Sequence, residues 1–289
     1  MPGVRVAGMA KHVDTEYVEQ PFAGLADEAA WVAMREIIPA ATGSATTTAE
    51  HGSRPVVVAT VLPSGAGAVH RPDGTVMLSV QGAPPSDDLS ADLAATLLAA
   101  LAAEPGTAVA PRRAAEASGA ARLQDVLEPA VPFELKVHDG YDFWLDASAE
   151  QSAEVKDSLA EAAEASTPTA PVPGVEHAYW CEMNAPFVRW VRPEPEDEVV
   201  AAIARLHAAR ASGIKLDGGA EAKFLGMFRA AGLTIPVWQL PAGTKAEALA
   251  APMAAYAKGF EAALADASPL TPEQRRARSG ILSRQVTLR

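Results

Sequence analysis

Phe133-Glu134-Leu135-Lys136-Val137-His138-Asp139-Gly140-Tyr141-Asp142-Phe143-Trp144-Leu145-Asp146 is the stretch from which the fold is read. Phe133, Leu135 and Val137 alternate with Glu134, Lys136 and His138. Tyr141, Phe143 and Leu145 alternate with Asp142, Trp144 and Asp146. Period-two alternation puts one set on a buried face and the other in water, and Asp-Gly supplies the positive φ angles of a two-residue turn. The stretch therefore predicts a β-hairpin. The run behind it, Ser148 to Ala165, predicts a surface helix, because Val155 and Leu159 are its only large apolar residues.

The same plan, two strand-like runs, a turn and a helix, is readable on either side. From Arg54 to Glu104, Pro55–Leu62 and Thr75–Val80 flank the turn signal Arg71-Pro72-Asp73-Gly74, and Leu89, Leu93, Leu97 and Leu101 form a helical stripe before Pro105. From Glu176 to Ala211, His177–Met183 and Phe187–Arg192 flank Asn184-Ala185-Pro186, and Glu194, Glu196, Asp197 and Glu198 crowd the start of a helix, where free N–H groups favour anions. Three ββα units predict an α+β fold: antiparallel hairpins in one or two sheets with helices packed on one face.

Outside the repeats, Ala26–Ile38 predicts a helix closed by Pro39, and the Thr, Ala, Ser and Gly-rich stretch to Ser53 predicts a loop. Phe224–Phe228 predicts a short helix, Leu233–Leu240 a strand made edge-like or bulged by Pro236, and Thr244–Asp266 a long helix. Thr271-Pro272-Glu273-Gln274 is a capping box opening a last helix. The expected organisation is a flexible arm over 1–20, a first α+β subdomain over 21–110, a second over 123–267 and an Arg-rich tail over 268–289. The Ala, Gly, Ser and Pro-rich interval from Pro105 to about Arg122 is expected to be a linker or a long surface loop.

The 289 residues carry 24 Lys+Arg against 36 Asp+Glu, net −12, which repels nucleic acid and anionic lipid unless positive charge is concentrated. It is concentrated in the tail. Arg275, Arg276, Arg278, Arg284 and Arg289 against Glu273 give +4 there, leaving −16 elsewhere. Nucleic-acid contact is therefore expected only through those arginines, and no aromatic residue follows Phe260 to stack on bases. No apolar run is long enough to cross a bilayer, and no export signal is recognised in the first twenty residues; with Cys181 as the lone cysteine this predicts a cytoplasmic protein.

No complete catalytic or cofactor motif appears. His177 and Cys181, four apart on a strand, lie roughly 13 Å from each other, too far to grip one ion, so neither metal nor cofactor is expected. Ser64-Gly65-Ala66-Gly67 and Gly243-Thr244-Lys245 each lack part of a phosphate loop. His138 with Asp139 and Asp142 is the densest acid–base cluster and the basis of a hydrolase alternative. Trp144, Trp180, Arg189, Trp190 and Arg192 are residue types that binding hot spots favour, and they point to a protein partner. Core tryptophans and salt bridges are the plainer reading of the same residues.

Several phrases, Trp31-Val32-Ala33-Met34-Arg35-Glu36-Ile37-Ile38-Pro39-Ala40, His70-Arg71-Pro72-Asp73-Gly74, Tyr179-Trp180-Cys181, Pro236-Val237-Trp238 and Leu282-Ser283-Arg284-Gln285-Val286-Thr287-Leu288-Arg289, resemble an actinobacterial family classed as a domain of unknown function. The resemblance runs from about residue 20 to the C-terminus and implies no activity. Some members look like fusions with the small zinc motif of the SecA C-terminal tail; that Cys-rich motif is missing here, so the resemblance implies neither zinc nor a translocase role. The expectation is a non-catalytic interaction or adaptor protein.

Overall fold

Two β-sheets share one helix between them. The computed structural model describes residues 17–83, 86–114, 120–145, 153–283 and 286–287. The shared helix, α1 (Glu28–Glu36), is capped by Asp27, whose carboxylate accepts the Ala30 N–H at 3.2 Å. All six residues from Ala29 to Met34 are buried, so α1 is covered on every side.

The first sheet is built from β1 (Ala41–Thr46), β2 (Pro55–Ala59), β3 (Ala68–His70), β4 (Val76–Ser79), β5 (Thr107–Val109) and β6 (Glu134–Val137), in the order β5-β3-β4-β2-β1-β6. Helices α2 (Leu89–Ala102) and α3 (Leu123–Val126) belong to the same half. Its core is centred on Trp31, stacked on Phe22 at 5.6 Å and on Phe133 at 4.5 Å.

After α4 (Ala153–Glu164) the second sheet forms from β7 (Thr169–Pro171), β8 (Ala178–Glu182), β9 (Pro186–Trp190), β10 (Ile214–Lys215), β11 (Glu221–Ala230) and β12 (Leu233–Gln239). The order is β10-β11-β12-β9-β8-β7, and β13 (Val286–Thr287) pairs parallel with β11. Helices α5 (Glu196–Ala208), α6 (Ala250–Leu264) and α7 (Pro272–Leu282) belong to this half. On one face Trp180, Val188, Trp190 and Trp238 join Val199, Ile203, Met253 and Phe260 in a core. On the other, Tyr179, Val191, Leu233 and Ile235 join the cluster around α1. Burying a tryptophan removes about 150–250 Å² from water, worth about 4–6 kcal/mol before entropy is counted.

The α+β class is what the sequence predicts, but the repeated ββα unit is not what builds it. Only the third hairpin forms as read, β8 against β9 with Ala178 opposite Trp190, followed by α5. In the first unit β2 and β4 pair in parallel, and Arg71-Pro72-Asp73-Gly74 turns β3 into β4 instead. In the second, β6 pairs with β1 and Asp142–Trp144 is a 3₁₀ turn. That turn is held by the stack of Tyr141 on Trp144 at 4.7 Å and by Trp144 Nε1 donating to Val61 O at 2.8 Å. Local aromatic packing outweighs the alternating pattern there.

Three further expectations are corrected. The stretch after Pro39 is not a loop but β1, in which Gly43 lies under the Phe133 ring: an added Cβ would meet Phe133 Cζ at 2.1 Å. Phe224–Phe228 is not helical but lies in β11, which has a register shift between Phe224 and Gly226. Pro236 stands inside the sheet, not at its edge; the ladder from β12 to β9 begins at Val237, directly after the residue that lacks an N–H. Residues 1–16 of the expected arm lie outside the described residues, while Val18 N donates to Asp87 O at 2.8 Å and Glu19 pairs with Arg229 at 3.3 Å.

Candidate functional site: a polar cleft at the seam of the two sheets

The two ends of α1 are fastened to the second sheet. At its start Asp27 Oδ1 lies 3.4 Å from His177 Nε2, and burial together with the Asp27 charge holds the Tyr179 phenol well above its usual range. At its end the last carbonyls have no partner within the helix and take side chains instead. Arg189 Nη2, from β9, donates to Ile37 O at 2.8 Å. Gln81 Nε2 donates to Met34 O at 2.6 Å and to Ile38 O at 2.8 Å. Arg35 turns away and donates to Val80 O at 2.5 Å.

Arg35, Ile37, Ile38, Gln81 and Arg189 wall a cleft of about 410 Å³ together with Glu36, Pro39, Thr167 and Met183, a volume in the range of small-ligand sites. Two guanidinium groups and one carboxylate are among its lining groups. Arg35 Nε is 3.6 Å from Glu36, a loose pair. Burial raises the Glu36 carboxyl above its ordinary value, with Arg35 pulling the other way. Arg189 Nε is buried without a hydrogen-bond partner of normal geometry. The neighbouring Cys181 thiol is pushed up by burial, and a protonated thiol is a poor substitute for an oxygen acceptor. Met183, at the tip of the β8–β9 hairpin, is 57% exposed at the rim.

Of the residues singled out in the sequence, only Arg189 lines this cleft. Trp180 and Trp190 are 6% and 2% exposed, so the expected tryptophan surface is corrected: both are core residues. Trp180 Nε1 donates to Thr244 O at 2.9 Å and Trp190 Nε1 to Glu176 O at 3.0 Å. Arg192 lies 4.1 Å over the Trp190 ring and is paired with Glu194 and Glu261, the plainer of the two readings. Trp144 is half-buried in its aromatic turn, away from the other four.

His138 sits in the same aromatic corner, 2.8 Å from Thr42 Oγ1 and 5.0 Å from the Phe143 ring. Burial and Lys136 lower its pKa while Asp139 and Asp142 act against them, and both carboxylates come from its own segment. His138 is not part of the seam cleft. Among the described residues no group of three or more His, Cys, Asp or Glu could hold a metal ion, and no helix is long and apolar enough to cross a membrane.

A family model matches residues 21–289, nearly the whole sequence, and its description is a family of unknown function. The chain belongs to DUF5926. No curated protein and no solved structure matches it, so the cleft of this DUF5926 protein is read from its own chemistry. Two tail arginines of the DUF5926 chain bond, at the surface, to groups of the chain itself. Arg275 Nη1 donates to Leu270 O at 2.5 Å and Arg278 pairs with Asp197 at 2.6 Å. Arg276 lines a second, open cleft with His207, Arg210 and Glu221; Arg284 lies outside the described residues.

Arg35, Glu36, Gln81 and Met183 were not singled out by sequence. A signal existed for two of them: Arg35-Glu36 is a charged pair closing a helix that is apolar from Ala29 to Met34, immediately before Ile-Ile-Pro, a place where charge must find a partner or a ligand.

Proposed function

We propose that this DUF5926 protein is a non-catalytic, cytoplasmic interaction protein whose partner docks over the tip of the β8–β9 hairpin and the mouth of the seam cleft. The observation that carries the reading is Met183, an exposed thioether at the rim of a cleft that also presents Arg35 and Arg189. Methionine adapts to the shape of what it touches and is over-used at binding surfaces, and arginine is enriched at interface hot spots. A small-ligand pocket alone gives no reason to leave a large apolar side chain on its rim so exposed to water. The free, buried Cys181 fits a reducing compartment.

The test is a photo-crosslinking residue placed at position 183 and, separately, at exposed Lys258 on α6 in full-length protein expressed in its native cell. A single-mass adduct formed from 183 and not from 258 is the expected result. Equal adduct patterns from the two positions, or no adduct from 183, would overturn the reading.

A further inference from the structure

The donors of the seam cleft are fixed before any ligand arrives. Arg189 is held by Ile37 O and Arg35 by Val80 O, so their remaining N–H groups are pre-positioned, which lowers the entropic cost of binding; Gln81 gives both of its N–H groups to the α1 end. A guanidinium carries five N–H donors, and each arginine spends one on a backbone oxygen. With Glu36 ionised, the cleft's charged residues sum to about +1 from two arginines and one carboxylate. A singly charged anion balances that; a phosphate dianion exceeds it. Beside the charges stand Pro39 and the exposed Met183, an apolar wall within the same cleft.

We infer that the seam cleft is a carboxylate pocket that takes the C-terminal residue of a partner polypeptide, its carboxylate between Arg35 and Arg189 and an apolar side chain against Pro39 and Met183. An arginine pair suits the planar, bidentate geometry of a carboxylate. The partner's last residue supplies both halves of the match, a carboxylate and an adjoining side chain. The inference rests on the interface reading of this face and adds the chemical group that is recognised.

The experiment is a calorimetric or NMR titration of the full chain with acetyl-Ala-Leu bearing a free C-terminus, its C-terminal amide, sodium acetate and inorganic phosphate. The free acid is expected to bind at least about tenfold more tightly than the amide and than acetate, and Arg35→Gln, which keeps an N–H for Val80 O, to weaken it by about tenfold or more with the melting temperature preserved. Arg189→Lys, retaining charge and losing the fork, should weaken it as well. Equal binding of acid and amide, or unchanged binding by Arg35→Gln, would overturn the carboxylate pocket. Acetate binding as tightly as the peptide, or phosphate binding more tightly, would overturn the polypeptide C-terminus as its occupant. An adduct at position 183 with no carboxylate preference removes this inference alone, whereas carboxylate binding without an adduct at 183 removes the interface reading.

Discussion

Gly43→Ala tests how the first sheet meets α1. The added methyl would lie 2.1 Å from Phe133 Cζ, with Cε2 and Cε1 at 2.6 and 2.8 Å, where ordinary contact begins at 3.4 Å. The ring must therefore shift by more than an ångström, and it is not free to do so: Phe133 is 7% exposed and stacks on Trp31, itself 1% exposed. Overpacking of this kind costs about 1–3 kcal/mol, and the entropy removed from the unfolded chain by a Gly-to-Ala change returns about 0.4–1 kcal/mol. The expected net loss is about 1–2 kcal/mol, a fall in Tm of about 2–6 °C in a chain of this size, read by differential scanning calorimetry. Combining it with Phe133→Leu should cost less than the sum of the two single changes by about 1 kcal/mol, because the smaller side chain vacates the space the methyl needs. A Gly43→Ala protein as stable as the parent, or strictly additive costs, would refute the reasoning.

Other changes probe the remaining parts. Cys181 is fully buried and its thiol is pushed up by burial, so a thiol reagent should label it at the rate of unfolding and not at that of a free cysteine; fast labelling of the native protein would contradict its placement. The raised Glu36 carboxyl means the folded state holds its proton more tightly than the unfolded state, so its contribution to stability falls as pH rises through the ordinary glutamate range. Glu36→Gln should therefore melt higher than the parent at pH 7, an advantage that shrinks as pH falls through the ordinary glutamate range and is gone by about pH 3, where both states are protonated. In the tail, Ile281→Ala should cost about 2–4 kcal/mol in urea unfolding, because Ile281 is the buried anchor of α7, whereas Arg278→Ala at the exposed Asp197 pair should cost less than about 0.5 kcal/mol. The reverse order would mean that charge, not packing, holds the tail.

What could be read in the sequence divides by the range of the forces involved. The hairpin at Asn184-Ala185-Pro186, the acidic start of α5 and the Thr271 capping box are local devices, and each appears where the sequence places it. Parallel pairing of β2 with β4 joins two apolar runs separated in sequence by a strand of three residues, too short to register as a period. Tyr141-Asp142-Phe143-Trp144 alternates like a strand because its aromatic side chains pack on one another and on His138, a local solution that yields the same pattern. The cleft was out of reach for another reason. Arg35, Gln81 and Arg189 converge from segments up to 154 positions apart, brought together by unsatisfied carbonyls at one helix end. Trp190 and Arg192, conspicuous as residue types, instead complete a core, since composition does not say which face of a strand will be covered.

The buried α1 has a consequence for how the chain is made. Its apolar surface is closed partly by residues 22–133 and partly by Tyr179, Val191, Leu233 and Ile235, which leave the ribosome long after it. At the usual rate of synthesis the interval from α1 to β9 is about 10–30 s, during which the helix has only half its shelter. An amino-terminal fragment ending in the 105–122 interval would carry an uncovered face of Ala, Val and Trp side chains and is expected to aggregate, so the nascent protein needs either a chaperone or speed at this step. Emergence of the second half is what completes the cover over α1.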